Sequence, residues 1–280
     1  MNNIETPIIV TGMHRSGTTL LSKILDNQGI SMGFKKEINN ESIFFLKINT
    51  WLLTLVSASW DSPSDFNNFD NKQKSIVLNK IKRLMISRLN FLHIGYFYLF
   101  FKKSLFNINN IWGWKDPRNT FTLDLWIELF PNAKIINIMR HPLAVSNSLL
   151  IRQKKLIELD KANKYKIKNK VSTLLGINRS SMLSSGVLND IDDCLLLYKK
   201  YQIQSIKNSN RYKNKILNIK YEDLLLNTDE TLSKIFNFLK IKINQNNMKK
   251  IIEKLDSDRI DSFKKVNLTY DKINLESIDY

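Results

Sequence analysis

A chain of 280 residues with 43 Lys and Arg against 26 Asp and Glu, a formal charge of +17, has room for one large core or two modest ones. Its single cysteine, Cys194, excludes an intrachain disulfide and reads as a small core residue, and its three histidines lack metal-ligand spacing, so no metal site is expected. The most apolar stretch, 89–101, is broken by Asn90, His93 and Gly95 and falls short of the roughly 20 apolar residues that a membrane span needs.

The chain opens on Ile8-Ile9-Val10, too short for a signal-type apolar core. This run reads as a strand over 8–11 that enters a loop bounded by Gly12 and Gly17. The loop passes straight into a helix over 17–28, with Leu20, Leu21, Ile24 and Leu25 at helical spacing. A strand feeding a short loop at a helix N-terminus presents unpaired backbone N–H groups and the positive end of the helix dipole, an anion site used mostly for phosphate. The triphosphate-binding version of the loop reads GxxxxGK[ST]. Here Thr18 stands where that Lys should be, and the loop's only full cation is Arg15. The frame suits phosphate, but not ATP or GTP.

Further helices are expected over 41–56, 72–100, 120–130, 143–153, 190–206 and 228–239, with strands over 111–115, 134–139 and 215–220. Strands alternating with helices predict a parallel sheet covered on both faces. The last helix carries a capping signature, with Asn227 as N-cap and Glu230 three residues later. The Lys-dense stretch 154–170 and the Ser-rich 180–185 read as a helix and loop inserted between sheet elements.

Two strand ends deliver cations to the side where the first loop lies. Arg140 leaves the end of strand 134–139, with Ser148 eight residues later on the following helix, and Lys115 ends strand 111–115 before Asp116-Pro117. In open parallel sheets, ligands sit outside the carboxyl ends of the strands. A guanidinium there suits phosphate because it donates bidentate, charge-assisted bonds. Asn147 lies beside Ser148, and Arg118 is placed either to support the pocket or to pair with Asp116.

The segment GMHRSGTTLL resembles the 5′-phosphosulfate loop of sulfotransferases that use 3′-phosphoadenylyl sulfate (PAPS), in the Golgi-type and bacterial branch with Arg before Ser-Gly-Thr-Thr. The resemblance extends over 8–30, 37–45, 111–118, 134–150 and 219–240. It implies an α/β, P-loop-type three-layer sandwich with a central parallel sheet, a single domain over 1–280, and acceptor-shaping insertions at 51–101 and 154–185. It also implies transfer of a sulfuryl group from PAPS to an acceptor hydroxyl, of a saccharide or glycoconjugate in the commonest case. His14, Arg15, Ser16, Gly17, Thr18 and Thr19 would then hold the 5′ end of the cosubstrate, and Arg140 and Ser148 its 3′-phosphate. Lys115 matches the K-[DT]-P segment and, with Arg15, would balance charge on the transferring group. Glu41, in an N-E-x-x-F context, would be the base, with Glu37 as the second candidate. Tyr221-Glu222-Asp223-Leu224 resembles a structural signature, and the basic segment 262–266, with Lys264 and Lys265, departs from relatives by lacking a glycine.

Two other functions compete. A nucleotide or small-molecule kinase of similar fold would need a Walker-type Lys, and Thr18 opposes it. A nucleic-acid-binding protein has only charge in its favour, since the lysines are spread along the chain without a continuous Arg block. No nucleic-acid partner is expected, membrane-surface contact is a minor alternative, and the expected location is cytoplasmic.

Overall fold

Four short apolar runs pair into one parallel sheet, β1 (Ile8–Thr11), β2 (Gly113–Lys115), β3 (Lys134–Met139) and β4 (Ile216–Lys220), in the order β2-β1-β3-β4. The computed structural model describes residues 7–66, 69–96, 104–108, 110–163 and 185–242, with residues 244, 247, 260, 275 and 278. Ile8 lies opposite Gly113 on one side and Lys134 on the other, and Val10 opposite Lys115 and Ile136. The chain goes from β1 to one neighbour and then crosses to the other, so the crevice at the carboxyl end of β1 is the switch point of the sheet.

Alternation along the strands splits the core in two. Ile8, Val10, Ile136 and Ile138 face α1 (Thr18–Asn27), a short α8 (Tyr221–Leu226) and α9 (Thr228–Leu239). Ile9, Ile135 and Ile216 face the opposite way, toward α2 (Ile43–Leu55), α3 (Asn71–Ile86) and α5 (Asn119–Leu129). On that face Phe45 stacks on Trp114, ring centroids 3.9 Å apart, with Trp112 and Trp126 around them. A third cluster, including Met13, Val145, Leu149 and Tyr201, joins α6 (Pro142–Asn163) and α7 (Ile191–Arg211) to the loop after β1. Cys194 is fully buried in this cluster, and burial pushes its thiol pKa up to about 12, as befits an inert core residue.

Several boundaries differ from expectation. The helix expected over 72–100 ends at Ile86, because Ser87 turns extended and its hydroxyl accepts from Leu89 N–H to start a short 3₁₀ turn. Asn90 then donates to the Met85 carbonyl, and a single turn, α4 (Phe91–Ile94), stops at Gly95. The helix expected over 143–153 continues to Asn163, absorbing the first part of the Lys-dense stretch. Asn227 precedes α9 without any side-chain cap bond. The end of the 72–100 helix at 97–100, most of the expected insertion at 164–184 and the segment 262–266 with Lys264 and Lys265 lie outside the described residues.

Candidate active site

The loop between β1 and α1 holds a backbone that most residues resist. Gly12 and Gly17 have φ of 130° and 103°, and Arg15 joins them in the left-handed region at 73°. A Cβ on Gly12 would stand 2.3 Å from the Ile138 carbonyl oxygen, and one on Gly17 would stand 2.3 Å from the Tyr221 ring. Gly12→Ala should therefore lower stability by about 1–3 kcal/mol, read as a fall in the unfolding midpoint. An unchanged midpoint would show that the loop can relax away from β3.

Within the loop, Ser16 is fully buried, and both its hydroxyl and its N–H donate to the Met13 carbonyl. Its side chain therefore shapes the loop instead of lining the cleft. His14, Arg15, Gly17, Thr18 and Thr19 do line a cleft of about 620 Å³, together with Glu41, Lys115, Arg140 and Ser148. Ten of the eleven residues singled out as site candidates or as the second base candidate thus gather at the carboxyl end of the sheet, nine in this cleft and Glu37 in a smaller pocket beside it.

Lys115 is not a surface lysine. It is 1% exposed, and its ammonium donates to Glu41 Oε1 and to the Asn39 carbonyl, both at 2.5 Å, and to Thr19 Oγ1 at 3.4 Å. Thr19 in turn donates to the same Asn39 carbonyl at 2.9 Å. Burial pulls the lysine pKa below its ordinary value, while the charge and hydrogen bond of Glu41 oppose that shift. Glu41 precedes α2, outside its first turn, so the ion pair with Lys115 and not a helix dipole accounts for its place. Glu37 stands farther out, its Oε2 accepting from the neighbouring Ile38 N–H.

The two groups expected to anchor phosphates meet. Arg15 Nε donates to Ser148 Oγ at 2.8 Å, and Arg140 reaches the Arg15 carbonyl at 3.4 Å while its guanidinium lies 4.5 Å from the Tyr221 ring centroid. The residues expected at the 5′ and 3′ ends of the cosubstrate are thus coupled across the cleft. Tyr221 also lines it, so the segment taken as purely structural supplies a wall of the site.

Behind Lys115, Asn49 donates to Asp116 and to Asn119 at 2.9 and 2.8 Å, and accepts from Thr122 and Trp126. Arg118 pairs with Asp116 at 3.3 Å and also lines the smaller pocket, so the two places left open for it coincide. Burial raises the Asp116 pKa and the Arg118 charge lowers it. Asn49 and the Asn39 carbonyl carried no motif: one is an ordinary polar residue within a helix, and the other acts through its backbone.

A pocket of about 20 Å³ adjoins the cleft and shares His14, Asn39, Glu41 and Arg152 with it, adding Glu37, Trp60 and Arg118. The His14 ring packs edge-on against Trp60 at 5.0 Å. Burial first, and then the surrounding Arg118, Arg152, Lys115 and Arg15 charges, hold its pKa well below the ordinary value, so the ring is neutral.

A family model described as the sulfotransferase family matches residues 7–245. Among solved structures, the chain is similar to the sulfotransferase domain of the olefin synthase of Synechococcus PCC 7002, with TM-score 0.52 and 15% identity, covering 98% of this chain and 94% of that one. It is similar also to a sulfotransferase domain from the curacin biosynthetic pathway, with TM-score 0.54 and 16% identity, over 97% and 95% of the two chains. At such identities the likeness is one of fold. No curated protein matches the sequence.

Proposed function

From the premise that this chain belongs to the sulfotransferase family and is a sulfotransferase, we propose that it takes PAPS as the sulfuryl donor and an alcohol as acceptor, with the residues of the cleft in the following roles. The observation that carries this assignment is the convergence of the phosphate-type loop, the buried Lys115–Glu41 pair and the Arg15–Ser148–Arg140 group in one cleft.

The backbone of the loop and Thr18 and Thr19 receive the 5′-phosphosulfate, with Arg15 adding charge. Arg140 and Ser148 take the 3′-phosphate. Glu41 removes the proton of the acceptor hydroxyl as the acceptor oxygen forms its bond to sulfur. The bond from sulfur to the bridging phosphate oxygen breaks, and adenosine 3′,5′-bisphosphate departs with the electron pair. Lys115 meets the negative charge that grows on that oxygen. As in phosphoryl transfer, positioning and electrostatics carry most of the catalysis.

The Lys115–Glu41 contact couples these two roles. An anionic donor competes with Glu41 for the Lys115 ammonium, so filling the cleft loosens the carboxylate at the moment the acceptor needs a base. A saccharide hydroxyl is among the acceptors this reading includes.

Discrimination between nucleotides tests the assignment. The protein should bind PAPS more tightly than adenylyl sulfate, which lacks the 3′-phosphate, by about 2–5 kcal/mol, measured by calorimetry. Arg140→Ala should remove most of that difference, and Arg15→Ala should weaken both nucleotides. Equal affinities in the wild type would defeat the role of Arg140 and Ser148.

A further inference from the structure

Arg152 stands one helical turn beyond Ser148 on α6, at the i+4 position that shares its face. Its guanidinium lies 5.3 Å from the centroid of the Trp60 ring, within cation–π range. Among the described residues it makes no hydrogen bond and no ion pair, whereas Lys115 is bound to Glu41, Arg118 to Asp116 and Arg15 to Ser148. Burial lowers its pKa, opposed by Glu41 and reinforced by Arg118, so the guanidinium sits in a partly desolvated setting. Such a group, packed against an indole, is suited to oxygens of a carboxylate, phosphate or sulfate.

Location decides which anion. Arg152 borders the large cleft but also the small pocket, where it stands with His14, Trp60, the carboxylates of Glu41 and Glu37, and Arg118, whose charge is already paired with Asp116. That pocket contains none of Thr18, Thr19, Arg140 or Ser148, the residues given to the cosubstrate. It shares Glu41 with the cleft, so a group held there stands next to the carboxylate given the role of base.

We propose that Arg152 and Trp60 form an anion subsite for the acceptor, so that the preferred acceptors are alcohols carrying a carboxylate, phosphate or sulfate close to the hydroxyl that is sulfated. This rests on the sulfuryl-transfer assignment above. A neutral alcohol would leave the guanidinium half-desolvated and without a partner, whereas an anionic one would complete it and hold its hydroxyl beside Glu41.

Matched pairs of alcohols test the subsite on protein saturated with adenosine 3′,5′-bisphosphate: 3-hydroxybutyrate and its methyl ester, phenyl glucuronide and phenyl glucoside, glycerol 3-phosphate and glycerol. Calorimetry should show the anionic member of at least one pair binding about tenfold or more tightly than its neutral counterpart, and the pair that responds identifies the anion. Arg152→Gln should abolish that ratio while the bisphosphate dissociation constant stays within about twofold and the unfolding midpoint is unchanged; Arg152→Lys should restore part of it. The subsite is overturned if no anionic member outbinds its partner, or if the ratio survives in Arg152→Gln. It is overturned too if the folded Arg152→Gln protein loses the bisphosphate about tenfold, which would give Arg152 to the cosubstrate. A wild-type protein that does not bind the bisphosphate at all would instead sink the donor assignment, and the subsite with it.

Discussion

Lys115→Ala should lower turnover at saturating PAPS by about 10²–10³-fold while changing the Michaelis constant for PAPS far less. A lysine that only attracts the anionic donor would show the reverse, a raised Michaelis constant with normal turnover. The burial of Lys115 at a strand end, between the loop after β1 and Glu41, sets its charge deep in the cleft and not at its rim, which favours the first outcome. Truncation also leaves Glu41, 5% exposed, without its cation, so a loss of stability should accompany the loss of rate. Lys115→Met keeps the hydrocarbon stem and separates the two effects: a folded Met variant should be as slow as the Ala variant. Lys115→Arg should rescue poorly, since a planar fork does not fit the point where Asn39, Thr19 and Glu41 converge on one ammonium. Normal turnover at saturating PAPS in the Met variant would reduce Lys115 to a structural residue.

Glu41→Gln should cut turnover by roughly 10²–10⁴, because the amide keeps the shape and can still accept a bond from Lys115 but cannot take a proton. Affinity for adenosine 3′,5′-bisphosphate should be equal or tighter, since the carboxylate that competes for Lys115 is gone. Steady-state kinetics and calorimetry on the same preparation read both quantities. Glu37→Gln is the control: its carboxylate is engaged with the backbone of Ile38 and lies in the smaller pocket, so its loss should leave turnover near normal. If Glu37→Gln is the slow variant and Glu41→Gln the normal one, the base has been assigned to the wrong carboxylate.

Local sequence determined the frame of this protein. Ile8–Val10, Gly12, Gly17 and the spacing of Leu21, Ile24 and Leu25 were enough to place the strand, the loop and the helix, because strand alternation, positive φ and helical periodicity are properties of a few neighbouring residues. The same holds for Lys115 and Arg140, since a residue at the end of a parallel strand is delivered to the ligand edge whatever surrounds it. Membership in the family followed from these short motifs, each read without knowledge of the others' positions in space.

Tertiary structure decided the pairings. Sequence alone did not show which charge Lys115 meets, and only the fold sets it against Glu41 across 74 positions of chain and buries both. The bond from Arg15 to Ser148 spans 133 positions, and the meeting of Arg152 with Trp60 joins α6 to the segment after α2. Helix ends also escaped local reading, at Ile86 where Ser87 and Asn90 redirect the chain, and at Asn163 where α6 runs on past its expected end. A motif records what a residue can do with its own neighbours. Which charge it meets, and whether water is present when they meet, depends on the packing of elements far apart in the chain, and that packing is what turns a basic, lysine-rich sequence into a cleft with a paired carboxylate, a buried cation and an arginine set against an indole.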